Sequence, residues 1–196
     1  MNRLEKALTR LAGDLQGLGL RWALVGGMAV SIRAEPRTTQ DVDVAVAVGS
    51  DPEAERITLS LKLRGYQPQP VQHFVEAADG RLSAARLLCP GDEESAVGVD
   101  LLFAFSGIEE EIVTDAETWE ILPGLRVPLA RTEHLIALKI LAGRFKDLAD
   151  AHLLWDHANP DSRARIAEIL ELIQERGFHR GKDLQAEFAR VLESET

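Results

Sequence analysis

Residues 22–48, WALVGGMAVSIRAEPRTTQDVDVAVAV, hold the pattern that decides the fold. An apolar run ends in Gly26 and Gly27, a short helical pattern follows, and Pro36 interrupts it. A second apolar run then opens with Asp41-Val42-Asp43 and continues as alternating valines and alanines. The stretch therefore predicts a strand, a glycine turn, a short helix and a second strand.

The two aspartates at the start of the second strand are candidate metal ligands. Side chains at positions i and i+2 of a strand point to one face, about 7 Å apart, so Asp41 and Asp43 project together. Carboxylates in this arrangement can share divalent ions about 3.5–4 Å apart, the geometry of nucleotidyl transfer. Gly26 and Gly27 would let backbone amides approach a phosphate at the start of the following helix. An isolated Asp-x-Asp is also typical of a solvated strand start, so the prediction depends on the surrounding order of elements.

That order of elements, with Arg37-Thr38-Thr39 before the Asp-x-Asp, resembles the DNA polymerase beta-like nucleotidyltransferase superfamily. Within it the chain looks like the AbiEii-type toxin nucleotidyltransferases, which often carry Gly-Gly where the superfamily usually has Gly-Ser. The resemblance implies an α/β nucleotidyltransferase fold: a mixed β-sheet with flanking helices and a C-terminal helical bundle. It also implies an enzyme that depends on Mg²⁺ or Mn²⁺ and takes an NTP as substrate.

Asp100 interrupts a third apolar strand, residues 97–104. A buried carboxylate without a partner costs several kcal/mol, so Asp100 should either contact a cation or hydrogen-bond donors, or touch solvent at a strand edge. In the superfamily a third carboxylate comes from a neighbouring strand of the same sheet. The resemblance therefore implies that Asp100 completes the metal site with Asp41 and Asp43 and accepts a proton from the attacking hydroxyl.

Residues 132–154 strengthen the resemblance. AbiEii-like enzymes carry a helix with a glutamate and a lysine, then a short basic turn, then a K/R-D-x-x-D pattern. The matching residues are Glu133, Lys139, Lys146, Asp147 and Asp150. Lys139 lies in an apolar helix, so it either extends to solvent or contacts the triphosphate together with Gly26 and Gly27.

Asp147 and Asp150 are spaced i and i+3 and share one helical face. Three interpretations remain open for this pair. The two carboxylates orient Lys139 or Lys146, act on the acceptor hydroxyl, or are acids favoured by the dipole at a helix N-terminus.

The remaining patterns predict supporting structure. The sequence predicts an amphipathic helix at 2–18, strands at 72–77 and 81–89, a hairpin around Pro123-Gly124 at 118–129 and a last helix at 181–193. Thr132 is the expected N-cap of the lysine-bearing helix. His73 and His134 are isolated and more typical of surface or hydrogen-bonded histidines than of catalysts. Five scattered cations either form a basic rim or are ordinary surface charge: Arg163, Arg165, Arg176, Arg180 and Lys182.

Composition limits the classes of function. With 45% apolar residues in 196, the chain is predicted to bury a core. A net charge of −10 argues against broad nonspecific binding to nucleic acid, although a local basic groove remains compatible with it. The single Cys89 excludes an internal disulfide and a cysteine zinc cluster. No signal peptide or membrane span is recognisable, so a cytoplasmic location without membrane contact is expected.

The resulting prediction is an α/β core over residues 1–130 and a helical region over residues 131–196. The predicted activity is metal-dependent transfer of NMP from an NTP to a hydroxyl of RNA, tRNA being one possibility, or of protein. The resemblance further implies the toxin of a toxin–antitoxin pair, with an antitoxin protein as partner. The alternative is a non-catalytic relative that keeps the fold and binds a nucleotide or a partner.

Overall fold

The computed structural model describes residues 2–69, 74–76, 82–91 and 96–193. In this part of the chain the helices are α1 Arg3–Gly17, α2 Gly26–Arg33, α3 Asp51–Leu63, α4 Glu109–Thr114, α5 Thr132–Ala142, α6 Phe145–His157, α7 Pro160–Glu175 and α8 Leu184–Glu193. The strands are β1 Trp22–Val25, β2 Asp41–Val46, β3 Gln67–Pro68, β4 Phe74–Glu76, β5 Leu82–Leu88, β6 Gly98–Leu102, β7 Glu117–Leu122 and β8 Leu125–Leu129.

The strands form one mixed sheet in the order β3-β5-β6-β2-β1-β8-β7, with β4 paired to β5. The β2–β6 and β1–β8 pairs are parallel, whereas β1–β2, β5–β6 and β7–β8 are antiparallel. The predicted α/β class with a mixed sheet is thus confirmed, and β2 lies near the sheet centre between β1 and β6.

The pairing of β2 with β6 is the part of the sheet that matters for function. Within β2, Val42 and Val44 are fully buried while Asp43 is only partly buried, as the alternation of a strand requires. In the parallel register Asp43 lies opposite Asp100, and Asp41 lies opposite Gly98. Residues in register across two strands point to the same face, so all three carboxylates leave the sheet on one side.

The apolar core continues from the sheet into the C-terminal helices. Leu24 and Val44 of the sheet belong to the same buried cluster as Ile136 and Ile140 of α5. The α5 helix packs against α2, α6, α7 and α8, so it is buried nearly all round. The division of the chain at residue 130 stays a prediction about sequence organisation, and the core is continuous across it.

Several predicted boundaries differ from the structure. The strand expected at 72–77 is described only as Phe74–Glu76, and His73 lies outside the described residues. The N-cap of α5 is Arg131 rather than Thr132, because the extended backbone ends one residue earlier and Thr132 is already helical. The last helix begins at Leu184, after a turn that contains left-handed residues near Gly181. Among the described residues, no helix has the length and apolar composition to cross a membrane.

Candidate active site

A cleft of about 710 Å³ opens between the sheet and the helices α5 and α6. One side, here called the sheet wall, carries Asp41, Asp43 and Asp100 with the turn Gly26–Gly27. The other side, the helix wall, is formed by Lys139, Arg144, Lys146 and Asp147, with Asp150 directly behind them. The structure therefore brings together the residues that the sequence singled out, although Asp150 does not line the cleft itself.

The glycines of the sheet wall make room for the carboxylates. Gly26 has a φ of +65°, and a Cβ there would overlap the carboxylate of Asp43. A Cβ on Gly27 would clash with Thr39, and the Gly27 N–H faces Asp43 Oδ2 at 3.4 Å. Gly98 does the same for Asp41, whose carboxylate occupies the space that a Cβ would fill. The backbone at the start of α2 and in β6 thus approaches the two aspartates as closely as only glycine permits.

The carboxylates of the sheet wall carry incompletely compensated negative charge. Burial raises the pKa of Asp43, and the Gly27 N–H and the charge of Lys139 only partly oppose this effect. Burial and then the neighbouring charge of Asp43 raise the pKa of Asp100 to about 6. Arg86 offsets part of that shift, with its Nε 3.4 Å from Asp100 Oδ2. Such a wall favours binding of a cation.

The carboxylates of the helix wall are neutralised by cations close to them. Lys139, only 8% exposed, donates to Asp147 Oδ1 at 3.0 Å and lies 2.8 Å from Asp150 Oδ2. Arg144 adds two hydrogen bonds to Asp147, and Arg37 from the loop before β2 donates to Asp150 at 2.7 Å. Burial alone would raise the pKa of Asp147, but the hydrogen bonds from Arg144 and Lys139 outweigh it and lower that pKa. Lys139 is therefore held in place between two carboxylates and does not extend to open solvent.

The oxygen donors of the sheet wall suit a magnesium or manganese ion. The described residues contain no group of three His, Cys, Asp or Glu side chains close enough to hold an ion by themselves. Mg²⁺, however, usually takes one or two protein carboxylates and completes its coordination with water and substrate phosphates. Asp41 and Asp43 supply two such hard donors from one strand, and the raised pKa values of Asp43 and Asp100 indicate unmet negative charge. The residues present therefore fit the ion.

The sequence did not predict a role in this site for four residues: Arg37, Arg86, Gly98 and Arg180. Arg37 had appeared only as part of the motif before the Asp-x-Asp, and Arg180 only among the five scattered cations. Arg180 has a φ of +56°, rare for a residue with a side chain, and its guanidinium lies 4.0 Å from the ring centroid of Phe105. Its loop is bracketed by Gly177 and Gly181, which both have positive φ, and this spacing was the one available signal.

The other cations of the predicted basic rim lie elsewhere. Arg165 pairs with Asp115 and Glu133, and Arg176 pairs with Glu111. Arg163 covers the Trp155 ring, and Lys182 donates to carbonyls at the end of α5. The five cations therefore do not form one surface, because each is engaged by its own neighbours. His134 is buried beside Asp115 outside the cleft, which agrees with a structural histidine.

The sheet order and the cleft define a protein with the nucleotidyltransferase fold. A nucleotidyltransferase-like protein from Paracoccidioides brasiliensis is similar over 98% of this chain and 88% of its own, with a TM-score of 0.52 and 18% identity. The antibiotic-resistance factor ANT(2'')-Ia in solution is similar over 96% and 95%, with a TM-score of 0.51 and 13% identity. The same factor in complex with adenylyl-2''-tobramycin is similar over 88% and 98%, with a TM-score of 0.52 and 13% identity.

Within that fold class the particular family is also evident. The chain belongs to the family described as the nucleotidyl transferase AbiEii toxin of a type IV toxin–antitoxin system, whose model matches residues 8–195. The resemblance to this family is thereby confirmed, and the match extends to residue 195, beyond the last motif that carried the resemblance, at residues 132–154. A comparison with curated proteins gives no match.

Proposed function

We propose that this protein transfers NMP from an NTP to a hydroxyl group of an acceptor, with RNA or protein as the acceptor. The observation that supports this most strongly is the juxtaposition of Asp41, Asp43 and Asp100 with Lys139 across one cleft. An undercompensated acidic wall and a buried ammonium are the two charges that a bound metal–triphosphate requires.

In the proposed reaction the acceptor oxygen forms a bond to the α-phosphorus of the NTP. The bond from that phosphorus to the oxygen bridging to the β-phosphate breaks, and pyrophosphate leaves with the bridging oxygen. The hydroxyl proton moves to Asp100, whose pKa of about 6 suits a base that works near neutral pH. Divalent ions held by Asp41, Asp43 and Asp100 would supply positive charge to the triphosphate and the leaving pyrophosphate.

The helix wall has a binding and positioning role in this proposal. Lys139 contacts the triphosphate, and the amides of the Gly26–Gly27 turn bind its oxygens at the start of α2. Asp147 and Asp150 hold Lys139 from two sides, so we assign them positioning roles rather than contact with the acceptor. Of the three interpretations that the sequence left open for the two carboxylates, we therefore propose the one in which they orient Lys139.

The test is transfer of label from each NTP, labelled at the α-phosphate, to total RNA or total protein with Mg²⁺ or Mn²⁺. Wild type should label one acceptor and release pyrophosphate. Asp41→Asn and Asp43→Asn should each abolish labelling and weaken metal-dependent NTP binding in calorimetry. Asp161→Asn, an exposed aspartate in the first turn of α7, is the matched control and should behave as wild type.

Two outcomes would contradict this proposal. If both cleft variants bind Mg²⁺–NTP as wild type does, the assignment of the metal site to Asp41 and Asp43 is wrong. If the wild type binds an NTP yet labels nothing, the protein is the non-catalytic relative that the sequence left as an alternative.

We further propose that the activity is that of a toxin with an antitoxin partner, as the family description suggests, and that the toxin acts in the cytoplasm. Induced expression should then arrest growth, and Asp43→Asn should relieve the arrest at equal protein level. Arrest that persists with Asp43→Asn would separate toxicity from nucleotidyl transfer.

A further inference from the structure

The first residue of α6, directly after the turn from α5, is an exposed aromatic residue at the mouth of the cleft. Phe145 is 92% exposed, more than any other large apolar side chain among the described residues. Its neighbours Arg144 and Lys146 both line the cleft, whereas Phe145 does not. The phenyl ring therefore lies outside the cleft, between two cations that face into it.

This exposure belongs to a turn that is held firmly in place. Gly143 ends α5 with a φ of +66°, and Lys182 donates to the carbonyls of Leu141 and Ala142 at 2.7 and 3.0 Å. On the other side, Arg144 donates two hydrogen bonds to Asp147. The chain is thus anchored by residues 141–144 before Phe145 and by Asp147 after it.

The charges around the cleft mouth differ from those of the whole chain. The cleft is lined by six cationic side chains and four carboxylates, although the chain as a whole carries a net charge of −10. Most of the six are engaged by carboxylates, as described above. Among the described residues, Lys146 and Arg180 form no ion pair. An exposed aromatic ring beside such an ammonium group can bind an unpaired nucleotide, because the base stacks on the ring and the ammonium contacts the phosphate.

We propose that Phe145 is the platform on which an unpaired base of an RNA acceptor stacks, with Lys146 contacting a flanking phosphate. The inference rests on the proposed function, since the NTP would fill the cleft between Gly26–Gly27 and Lys139 and only the acceptor would extend past its mouth. An acidic protein is the less suitable partner. Its carboxylates could pair with the ammonium of Lys146, but they would offer the Phe145 ring no base on which to stack.

The test is the affinity of a fluorescein-labelled single-stranded RNA of ten nucleotides, measured by anisotropy for wild type, Phe145→Ala and Phe145→Trp. Phe145→Ala should weaken RNA binding about 10-fold, the loss of one stacked base. Phe145→Trp should preserve binding, and its added indole fluorescence should be quenched by unlabelled RNA. Leu63→Ala on α3, where the leucine is 81% exposed, is the matched control for loss of exposed apolar surface and should bind as wild type.

A second pair of measurements separates this inference from the proposed function. Mg²⁺–NTP affinity, measured by calorimetry, should be unchanged in Phe145→Ala, and labelling of RNA should fall with the RNA affinity. Unchanged RNA affinity in Phe145→Ala, absence of quenching in Phe145→Trp, or loss of NTP affinity would each overturn the platform. Transfer to protein but not to RNA would also overturn it while leaving nucleotidyl transfer intact. Quenching of Phe145→Trp by RNA in a protein that transfers nothing would support the platform and contradict the enzyme.

Discussion

The pKa values of two aspartates on opposite walls of the cleft are shifted in opposite directions. Asp100, on the sheet wall, has its pKa raised to about 6 by burial and by the nearby charge of Asp43. Asp147, on the helix wall, is fully buried, yet its pKa is lowered because hydrogen bonds from Arg144 and Lys139 outweigh the loss of water. Burial alone does not determine the state of a carboxylate, and the number of donors around it decides the direction of the shift.

This difference in pKa shifts indicates that the two walls have different roles. The helix wall already contains the counter-charges of its acids, so its structure is complete without a ligand. The sheet wall brings three carboxylates to one face of two strands, and in the part of the chain that the structure describes only Arg86 lies within ion-pair distance of Asp100. Holding that arrangement costs stability until a cation binds, which is typical of a site built for a ligand rather than for folding.

The largest expected effect is that of removing the cation of the helix wall. Lys139→Met keeps the apolar stem, and Asp147 and Asp150 each keep an arginine partner, Arg144 and Arg37. We expect a folded protein whose transfer rate falls about 10²-fold or more, the cost of losing one charge contact in the transition state. Initial rates of label transfer measure this effect, with exposed Lys62→Met as the control. If Lys139→Met transfers label at the wild-type rate, Lys139 serves only to neutralise the carboxylates of Asp147 and Asp150.

A smaller effect should appear in the pH dependence of the sheet wall. Metal binding requires a charged Asp100, so Mg²⁺–NTP affinity should fall as the pH drops below about 6, by up to about tenfold per pH unit. Asp100→Asn should bind more weakly and lose this dependence. Calorimetry between about pH 5 and about pH 8, a range that brackets the raised pKa of Asp100, measures both effects.

The stability of the metal-free protein should change in the opposite sense. The folded state holds the Asp100 proton more tightly than the unfolded chain, whose aspartate pKa is 3.8. The free energy of unfolding should therefore decrease as the pH rises from 3.8 to about 6, and Asp100→Asn should remove that contribution. Urea titrations at several pH values test it. An identical pH profile in wild type and variant would mean that Arg86 compensates Asp100 fully.

The smallest effect concerns the space around Asp41. In Gly98→Ala the added methyl group would overlap the Asp41 carboxylate and displace it from the face shared with Asp43. We expect Mg²⁺–NTP affinity to fall by less than about tenfold, because the Asp41 carboxylate is displaced but not removed, with little change on the helix wall. Gly13→Ala is the matched control, since a Cβ there meets open space within α1 and should only add helix propensity. Equal affinity in both variants would show that Asp41 tolerates displacement.

Much of the sheet wall was predictable because it depends on local periodicity. The alternation of a strand places Asp41 and Asp43 on one face whatever the rest of the chain does. The Gly-Gly turn, the following helix and the Asp-x-Asp also carried the family resemblance, which the match over residues 8–195 bears out. The hairpin around Pro123-Gly124 was confirmed for the same reason, since its turn signal lies within the segment itself.

The helix wall shows what the sequence could not determine. The sequence marked Lys139 and the Asp147–Asp150 pair as unusual and left three interpretations open for the pair. The folded chain places both carboxylates against Lys139, a contact that no local pattern contained. Arg37 and Arg180 line the same cleft from sequence positions far from α5, and no local pattern predicted that they would meet there. The five scattered cations likewise separated into individual partnerships only in three dimensions.

By itself, the sequence determined which elements form, which faces their side chains take, and the family to which they belong. Those properties follow from short-range periodicity, glycine conformations and the order of motifs. Only the tertiary structure decided that Asp43 lies opposite Asp100, that Lys139 is held between two acids, and that Phe145 is exposed at the cleft mouth. The physical reason is that strand register, charge pairing and burial depend on contacts between residues distant in the chain, whose energies no local pattern contains.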